Sequence, residues 1–316
     1  MIGVLGAGAF GTAIAVALAS DGTQVSLWAR NRELARMTQK TRENAQRLPG
    51  VPLPPSLEVT SDIADLAAAR AILVVVPAQQ TASLLAEYGG LLPDVTHVFC
   101  AKGIARDGLK LQTELVSMER DKAVLTGPGF ANEIARGLPT ALTLAVTDPQ
   151  RGAALQTLLS RPALRLYLSS DPIGAQLGGA LKNVVAIAAG IAIGAGLGES
   201  ARAAIITRGF AEMSRLALKL GADARTLAGL SGFGDLALTA TSGQSRNFAH
   251  GQALGSGSVG ANVTVEGAAT ARISVDLAAR HGVEMPIAEA VASVLEGRLT
   301  VDEALQRLLA RPLAKE

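Results

Sequence analysis

Cysteine is almost absent from this chain. Cys100 stands alone, which excludes an internal disulfide framework and most all-cysteine metal sites. Histidine is nearly as scarce, and His97, His250 and His281 are too widely spaced to form a metal-binding pattern. An excess of either charge is missing too. Lys and Arg number 29 against 27 Asp and Glu, a net charge of +2. Nothing in that balance favours nucleic acid or an anionic membrane. The uncharged run Asn183–Gly198 is rich in Gly and Ala and shorter than the ~20 residues of a membrane-spanning helix. It reads as a buried core helix. The apolar start carries no basic leader, so no signal peptide is read there. The expectation is a cytoplasmic protein in a reducing setting, with no transmembrane segment.

What is present suits a globular protein: 49% hydrophobic and 18% charged residues over 316 positions, enough for one large domain or two medium ones. In the first half, short β-type runs alternate with helical patterns. Ile2–Leu5, Gln24–Trp28, Ala71–Val76 and Thr96–Cys100 read as strands, and Thr12–Ser20 as an apolar helix. Apolar runs on both faces with helices between them predict a parallel sheet covered on each side. Val124–Thr126, Thr140–Val146 and Leu164–Leu168 extend it, and the proline-rich segment Leu48–Pro55 reads as a rigid surface excursion. After Asp171-Pro172, a helix-start signal, the strands stop. Helices are predicted over Ile173–Gly198, Ala201–Leu220, Ala222–Leu230, Val265–His281, Pro286–Glu296 and Thr300–Leu309, the last opened by a capping box of Thr300 and Glu303. The pattern is therefore an α/β N-terminal domain, residues 1–170, joined to an all-α C-terminal domain, residues 171–316.

Gly6, Gly8 and Gly11 have the spacing G-x-G-x-x-G where the first strand becomes a helix. A dinucleotide site uses such glycines for a tight turn, for close approach to a pyrophosphate and for helix packing, with the helix N-terminus facing the phosphates. A packing turn with no ligand is the alternative. An NAD site usually carries an acid about 20 residues on. Here the second strand ends Trp28-Ala29-Arg30-Asn31-Arg32. A guanidinium there, Arg30 above all, pairs with a 2′-phosphate, so NADP(H) is favoured, with NAD(H) possible. Two solvated surface arginines are the other reading.

Lys102 follows a strand at the edge where open α/β sheets bind ligands, though it also reads as a loop lysine. Gly127-Pro-Gly129-Phe-Ala131 is a second glycine-rich loop. Lys182 lies in an apolar helix with no other charge nearby. Burial lowers the pKa of such an ammonium and suits it to proton transfer near neutral pH. Snorkelling past small neighbours is the alternative. Asp235, in Ser-Gly-Phe-Gly-Asp, is a partner for Lys182 or a helix N-cap. Ser245-Arg246-Asn247 offers hydroxyl, guanidinium and amide to a phosphate, or else opens a helix.

Together these segments closely resemble the soluble NAD(P)+-dependent glycerol-3-phosphate dehydrogenases of bacteria. The landmarks are GAGAFGTA from Gly6, LPGVPLP from Leu48, VVP at Val75, CAKGI from Cys100, GPGFA from Gly127, GGALKNV from Gly178, GLGESARAAIITRG from Gly196, SGFGDL from Ser231, SRN from Ser245 and VEG from Val265. The resemblance implies an α/β Rossmann-like N-terminal domain plus an all-α C-terminal domain with the active site between them, and reversible reduction of dihydroxyacetone phosphate to sn-glycerol 3-phosphate, for phospholipid synthesis, in a homodimer. By position it implies that Lys182 transfers the proton, that Lys102 touches cofactor and substrate, and that Asp235 positions Lys182 and the substrate hydroxyls beside Asn183 and Thr239. Gly127, Gly129, Ser245, Arg246 and Asn247 fall in its substrate-binding segments, with Arg246 also near the cofactor. Phe10, Ala131, Thr264 and Glu266 fall at cofactor-contacting positions.

The chain departs from the family where Gly129 replaces the usual Ser, where Phe10 often is Trp, and in a short segment between Asn247 and Glu266. Two other readings compete. One is a related Rossmann-plus-helical reductase of a carboxylate substrate, of β-hydroxyacid dehydrogenase or ketopantoate reductase type. The other is a non-catalytic NADP(H) sensor.

Overall fold

The computed structural model describes residues 1–117, 120–258 and 266–310. Its sheet is built from runs that are apolar on both faces. β1 (Ile2–Leu5), β2 (Val25–Trp28), β4 (Ala71–Val74) and β5 (Thr96–Phe99) are buried at every residue, as strands covered by helices on either side must be. An edge strand, β3 (Leu57–Thr60), half-buried in an alternating pattern, is added to those read from the sequence. β6 (Lys122–Thr126), β7 (Thr140–Ala145) and β8 (Leu164–Ser169) complete eight strands in the order β3-β2-β1-β4-β5-β6-β7-β8.

The sheet is parallel from β3 through β6, and one junction departs from the expected pattern. β7 pairs antiparallel with β6, and β8 then runs parallel to β7. The helix in the β6–β7 link is a single short one, Ala131–Ala135, and an antiparallel return needs no full crossover helix. The strand order reverses between β1 and β4, which puts the ligand-binding crevice at the C-terminal ends of those strands. β4 and β5 stop at Val74 and Phe99, short of the predicted ends, so Val75 and Cys100 lead directly into that crevice.

The helices of this half are α1 (Ala9–Ala19), α2 (Arg32–Thr41), α3 (Ala78–Tyr88), α4 (Ala131–Ala135) and α5 (Pro149–Leu159). The Leu48–Pro55 segment is a correction. Leu48, Val51 and Leu53 are buried in the same core as α1 and β2, with Gly50 at φ +74° turning the chain between the first two.

The second half is α6 (Pro172–Gly194), α7 (Gly198–Lys219), α8 (Ala224–Ala228), α9 (Asp235–Thr241), α10 (Arg246–Gly255), α11 (Glu266–Arg280), α12 (Pro286–Leu295) and α13 (Val301–Leu309). α6 opens with Asp171 accepting the Gly174 N–H at 2.8 Å and Pro172 in the first turn. It ends four residues before the predicted Gly198, because Gly196 and Gly198 have φ of +73° and +84° and turn the chain into α7. The helix predicted over Ala222–Leu230 is shorter, and a π-type turn, Leu230–Gly234, leads from it into α9.

By length and composition α6 is apolar enough to cross a bilayer, yet its most apolar window is 83% buried within this fold. Small residues set how closely it packs. A Cβ on Gly190 would lie 2.1 Å from the Phe248 carbonyl oxygen, and one on Gly251 would lie 2.1 Å from that of Ile187. Backbones of α6 and α10 therefore touch directly. That contact fixes Arg246 and Asn247, at the start of α10, against the middle of α6.

Candidate active site

A cavity of about 1110 Å³ opens between the sheet's crevice and the helical half. Its sheet side begins at the glycine turn. Gly6 has φ +116°, and a Cβ there would lie 2.7 Å from the Val75 carbonyl oxygen. A Cβ on Gly11 would overlap the Gly6 carbonyl, so this glycine is required for packing of α1 on the turn. A Cβ on Gly8 would meet nothing within 4 Å, so the turn leaves open backbone at the N-terminus of α1. These features fit a dinucleotide diphosphate. Arg30 lines the same cavity at the end of β2, whereas Arg32 does not and instead starts α2. Arg47 and Arg136 also line it; they sit on connecting segments outside any motif, and no local pattern marks them.

The far wall is where the lysines meet. Lys102, on the loop after β5, donates from Nζ to the Gly127 carbonyl at 2.9 Å and to Asp235 Oδ2 at 2.7 Å. Lys182, midway along α6, donates to Asp235 Oδ1 at 2.9 Å and to Thr239 Oγ1. Thr239 returns its own hydroxyl proton to Asp235 Oδ1 at 3.2 Å, one turn along α9. Asp235 is thus the partner of both lysines, and Gly234 occupies the N-cap position instead. Lys102 also lies 6.0 Å from the centroid of the Phe10 ring, within cation–π range.

Burial controls the charges here. Lys182 is 5% exposed. Burial lowers its pKa to about 8, with Asp235 opposing that shift and the Lys102 charge adding to it. Burial disfavours ionised Asp235, but the two ammonium groups outweigh it and hold the carboxyl below its ordinary value. Glu266, at the start of α11, is raised by burial, with Lys102 and Arg246 opposing. The Cys100 thiol is pushed up by burial to about 12, so no thiolate nucleophile is present near neutral pH.

A hydrogen-bonded chain ties the two halves together below the lysines. Asn183 Nδ2 donates to the Lys102 carbonyl at 3.2 Å, Asn247 Nδ2 donates to Asn183 Oδ1 at 2.9 Å, and the Gly267 N–H donates to Asn247 Oδ1 at 3.0 Å. Ser245 is spent as the N-cap of α10, accepting from the Phe248 N–H at 3.2 Å. Its helix-start reading therefore accounts for the hydroxyl, leaving Arg246 as the charged donor of that segment on the cavity wall.

Gly6, Gly8, Phe10, Gly11, Gly129, Ala131 and Glu266 line the cavity with Lys102, Lys182, Asn183, Asp235, Thr239, Ser245, Arg246 and Asn247. Gly127 contributes through its carbonyl to Lys102. A Cβ on Gly129 would sit 3.0 Å from Ile134 Cδ1 and 3.2 Å from Thr140 Cγ2, so a side chain there requires those two methyls to shift by a few tenths of an ångström. Thr264 lies outside the described residues.

Family models described as the N-terminus and the C-terminus of NAD-dependent glycerol-3-phosphate dehydrogenase match residues 1–152 and 171–306. The chain belongs to this family. A glycerol-3-phosphate dehydrogenase [NAD(P)+] from Paracoccus denitrificans is 54% identical over 319 residues, covering 100% of this chain and 99% of the relative. The crystal structure of a glycerol-3-phosphate dehydrogenase from Coxiella burnetii superposes with a TM-score of 0.92 at 38% identity, over 98% of each chain. A ketopantoate reductase from Ralstonia eutropha shares the fold at 17% identity, with a TM-score of 0.63 over 96% of this chain and 100% of the other. The family's Rossmann-plus-helical architecture is the one described above, with the lysine cluster where its two parts meet.

Proposed function

We propose that this chain catalyses the reversible NAD(P)H-dependent reduction of dihydroxyacetone phosphate to sn-glycerol 3-phosphate. The observation that carries it is the convergence of two ammonium groups on one buried carboxylate, Lys182–Asp235–Lys102, in the wall of the cavity. The glycine turn and the start of α1 hold the dinucleotide, which when bound supplies the hydride. Lys182 Nζ gives a proton to the substrate carbonyl oxygen as alkoxide character develops, and its charge stabilises that oxygen meanwhile. Asp235 keeps the lysine oriented and, with Thr239, receives its remaining N–H groups. Lys102 adds positive charge beside the reacting oxygen. Arg246 and Asn247 grip the phosphate, so much of the rate comes from positioning. Arg30 pairs with the 2′-phosphate and favours NADPH over NADH. A homodimer, a cytoplasmic setting and supply of phospholipid synthesis follow from the family resemblance.

Initial rates of nicotinamide oxidation with a panel of ketones test the proposal. Dihydroxyacetone phosphate should be reduced rapidly, faster with NADPH than with NADH, and ketopantoate and β-keto acids should not. Turnover confined to the carboxylate ketones would overturn it.

A further inference from the structure

We propose that Asn44 is a positioning residue for the dinucleotide, acting through the glycine turn; this rests on the cofactor reading above. Asn44 follows α2 and belongs to none of the motifs that mark the site. It is 1% exposed. Its Nδ2 donates to the Ala7 carbonyl at 3.0 Å and to Thr12 Oγ1 at 2.9 Å. One side chain therefore grips both the turn and the first helical residues beyond it.

Ala7 stands between Gly6 and Gly8, and no peptide bond in the described chain is cis. Across a trans peptide the carbonyl of one residue and the N–H of the next point in opposite directions. Asn44 holds the Ala7 carbonyl from the interior, so the Gly8 N–H points away from Asn44; Gly8 also has an uncrowded side, where a Cβ would meet nothing within 4 Å. That is the open side of the turn, suited to an anionic oxygen. Gly8, which borders this peptide, tolerates a wide range of φ and so lowers its resistance to rotation. Rotated, it would present a carbonyl oxygen to the diphosphate and repel it.

Two further observations set Asn44 apart from an ordinary core residue. Its Oδ1 has no hydrogen-bond partner among the described residues, which stability alone does not favour in a buried amide. Its backbone carbonyl accepts the N–H groups of Arg47 at 3.1 Å and Leu48 at 2.8 Å, and both of those residues line the cavity. Asn44 thus joins the glycine turn to the segment facing it across the nucleotide end.

Asn44→Leu removes the donor and keeps the bulk; Asn44→Ser leaves room for a water. The readouts are Kd for NADPH by fluorescence titration, the thermal midpoint, and kcat and KM for dihydroxyacetone phosphate at saturating NADPH. In the leucine variant Kd should rise about tenfold or more, the scale of a lost hydrogen bond with an unfavourable peptide orientation added. The serine variant should show a smaller rise in the same direction. In both, kcat and the KM for the ketone should stay within about twofold, because the lysine cluster is untouched. An unchanged Kd in a folded leucine variant overturns the inference. So does failure of both variants to fold with or without NADPH, which makes Asn44 purely structural. Wild-type protein that does not bind NADPH overturns the cofactor reading itself, whereas wild-type binding with unaffected variants overturns only the role of Asn44.

Discussion

An ammonium buried against a carboxylate has its proton affinity set by two opposing forces, and Lys182 shows which prevails. Burial favours the neutral amine, Asp235 favours the charged one, and the outcome is a pKa of about 8. The sign of the pH dependence follows. With Lys182 as the proposed proton donor, reduction of the ketone uses the ammonium, so its kcat should be flat below pH 8 and fall about tenfold per unit above it. Oxidation of the alcohol needs the free amine and should rise through the same region. Rate profiles in both directions, at saturating substrates, check this; a parallel response in the two directions would contradict it. Lys182 is legible in the sequence because a charge inside an apolar run is locally conspicuous. Its pairing is not, since Asp235 is 53 residues away from it and 133 from Lys102. Ser245 was equally open to a phosphate or a cap, and only the position of the Phe248 N–H decides what its hydroxyl does. Asn44 and Arg47 carried no signal, because a polar residue in a loop looks the same whether it faces water or a glycine turn.

At the scale of elements, α6 is the beam on which the site is mounted, and its glycines are contact surfaces. Gly190→Ala would place a methyl 2.1 Å from the Phe248 carbonyl oxygen. Backbone must move, at a cost of about 1–3 kcal/mol as in other overpacked cores. The denaturant midpoint should fall accordingly, while an unchanged midpoint would show that the α6–α10 contact is looser than described.

A second element-level test concerns α12. Glu212 of α7 accepts the N–H groups of Ile287 and Ala288 at 2.9–3.3 Å, at the start of α12. Burial nevertheless raises its carboxyl to about 7, with those N–H groups opposing the shift. Between the unfolded value near 4.5 and 7 the folded state binds more protons, so this group's contribution to stability falls as pH rises across that window. The thermal midpoint of wild type minus that of Glu212→Gln should therefore decrease from pH 5 to pH 7.5. A constant or increasing difference would contradict the assignment.

Strand and helix periods were mostly legible from sequence because they are local. The antiparallel β7 and the inward-facing proline segment were not, because pairing direction and burial depend on what the rest of the chain leaves uncovered.

For the whole molecule, the site exists only because two differently built halves meet. The sheet contributes the glycine turn, Arg30 and Lys102; the helical half contributes Lys182, Asp235, Thr239 and Arg246. In the proposed function Lys182 moves the proton at this junction. The most direct measurement is kcat for dihydroxyacetone phosphate reduction by wild type and Lys182→Ala, with Kd for NADPH measured on both. The expected result is a loss in kcat of at least ~100-fold, the low end for general acid–base catalysis, with NADPH binding retained. A folded Lys182→Ala protein that binds NADPH and keeps the wild-type kcat would contradict it.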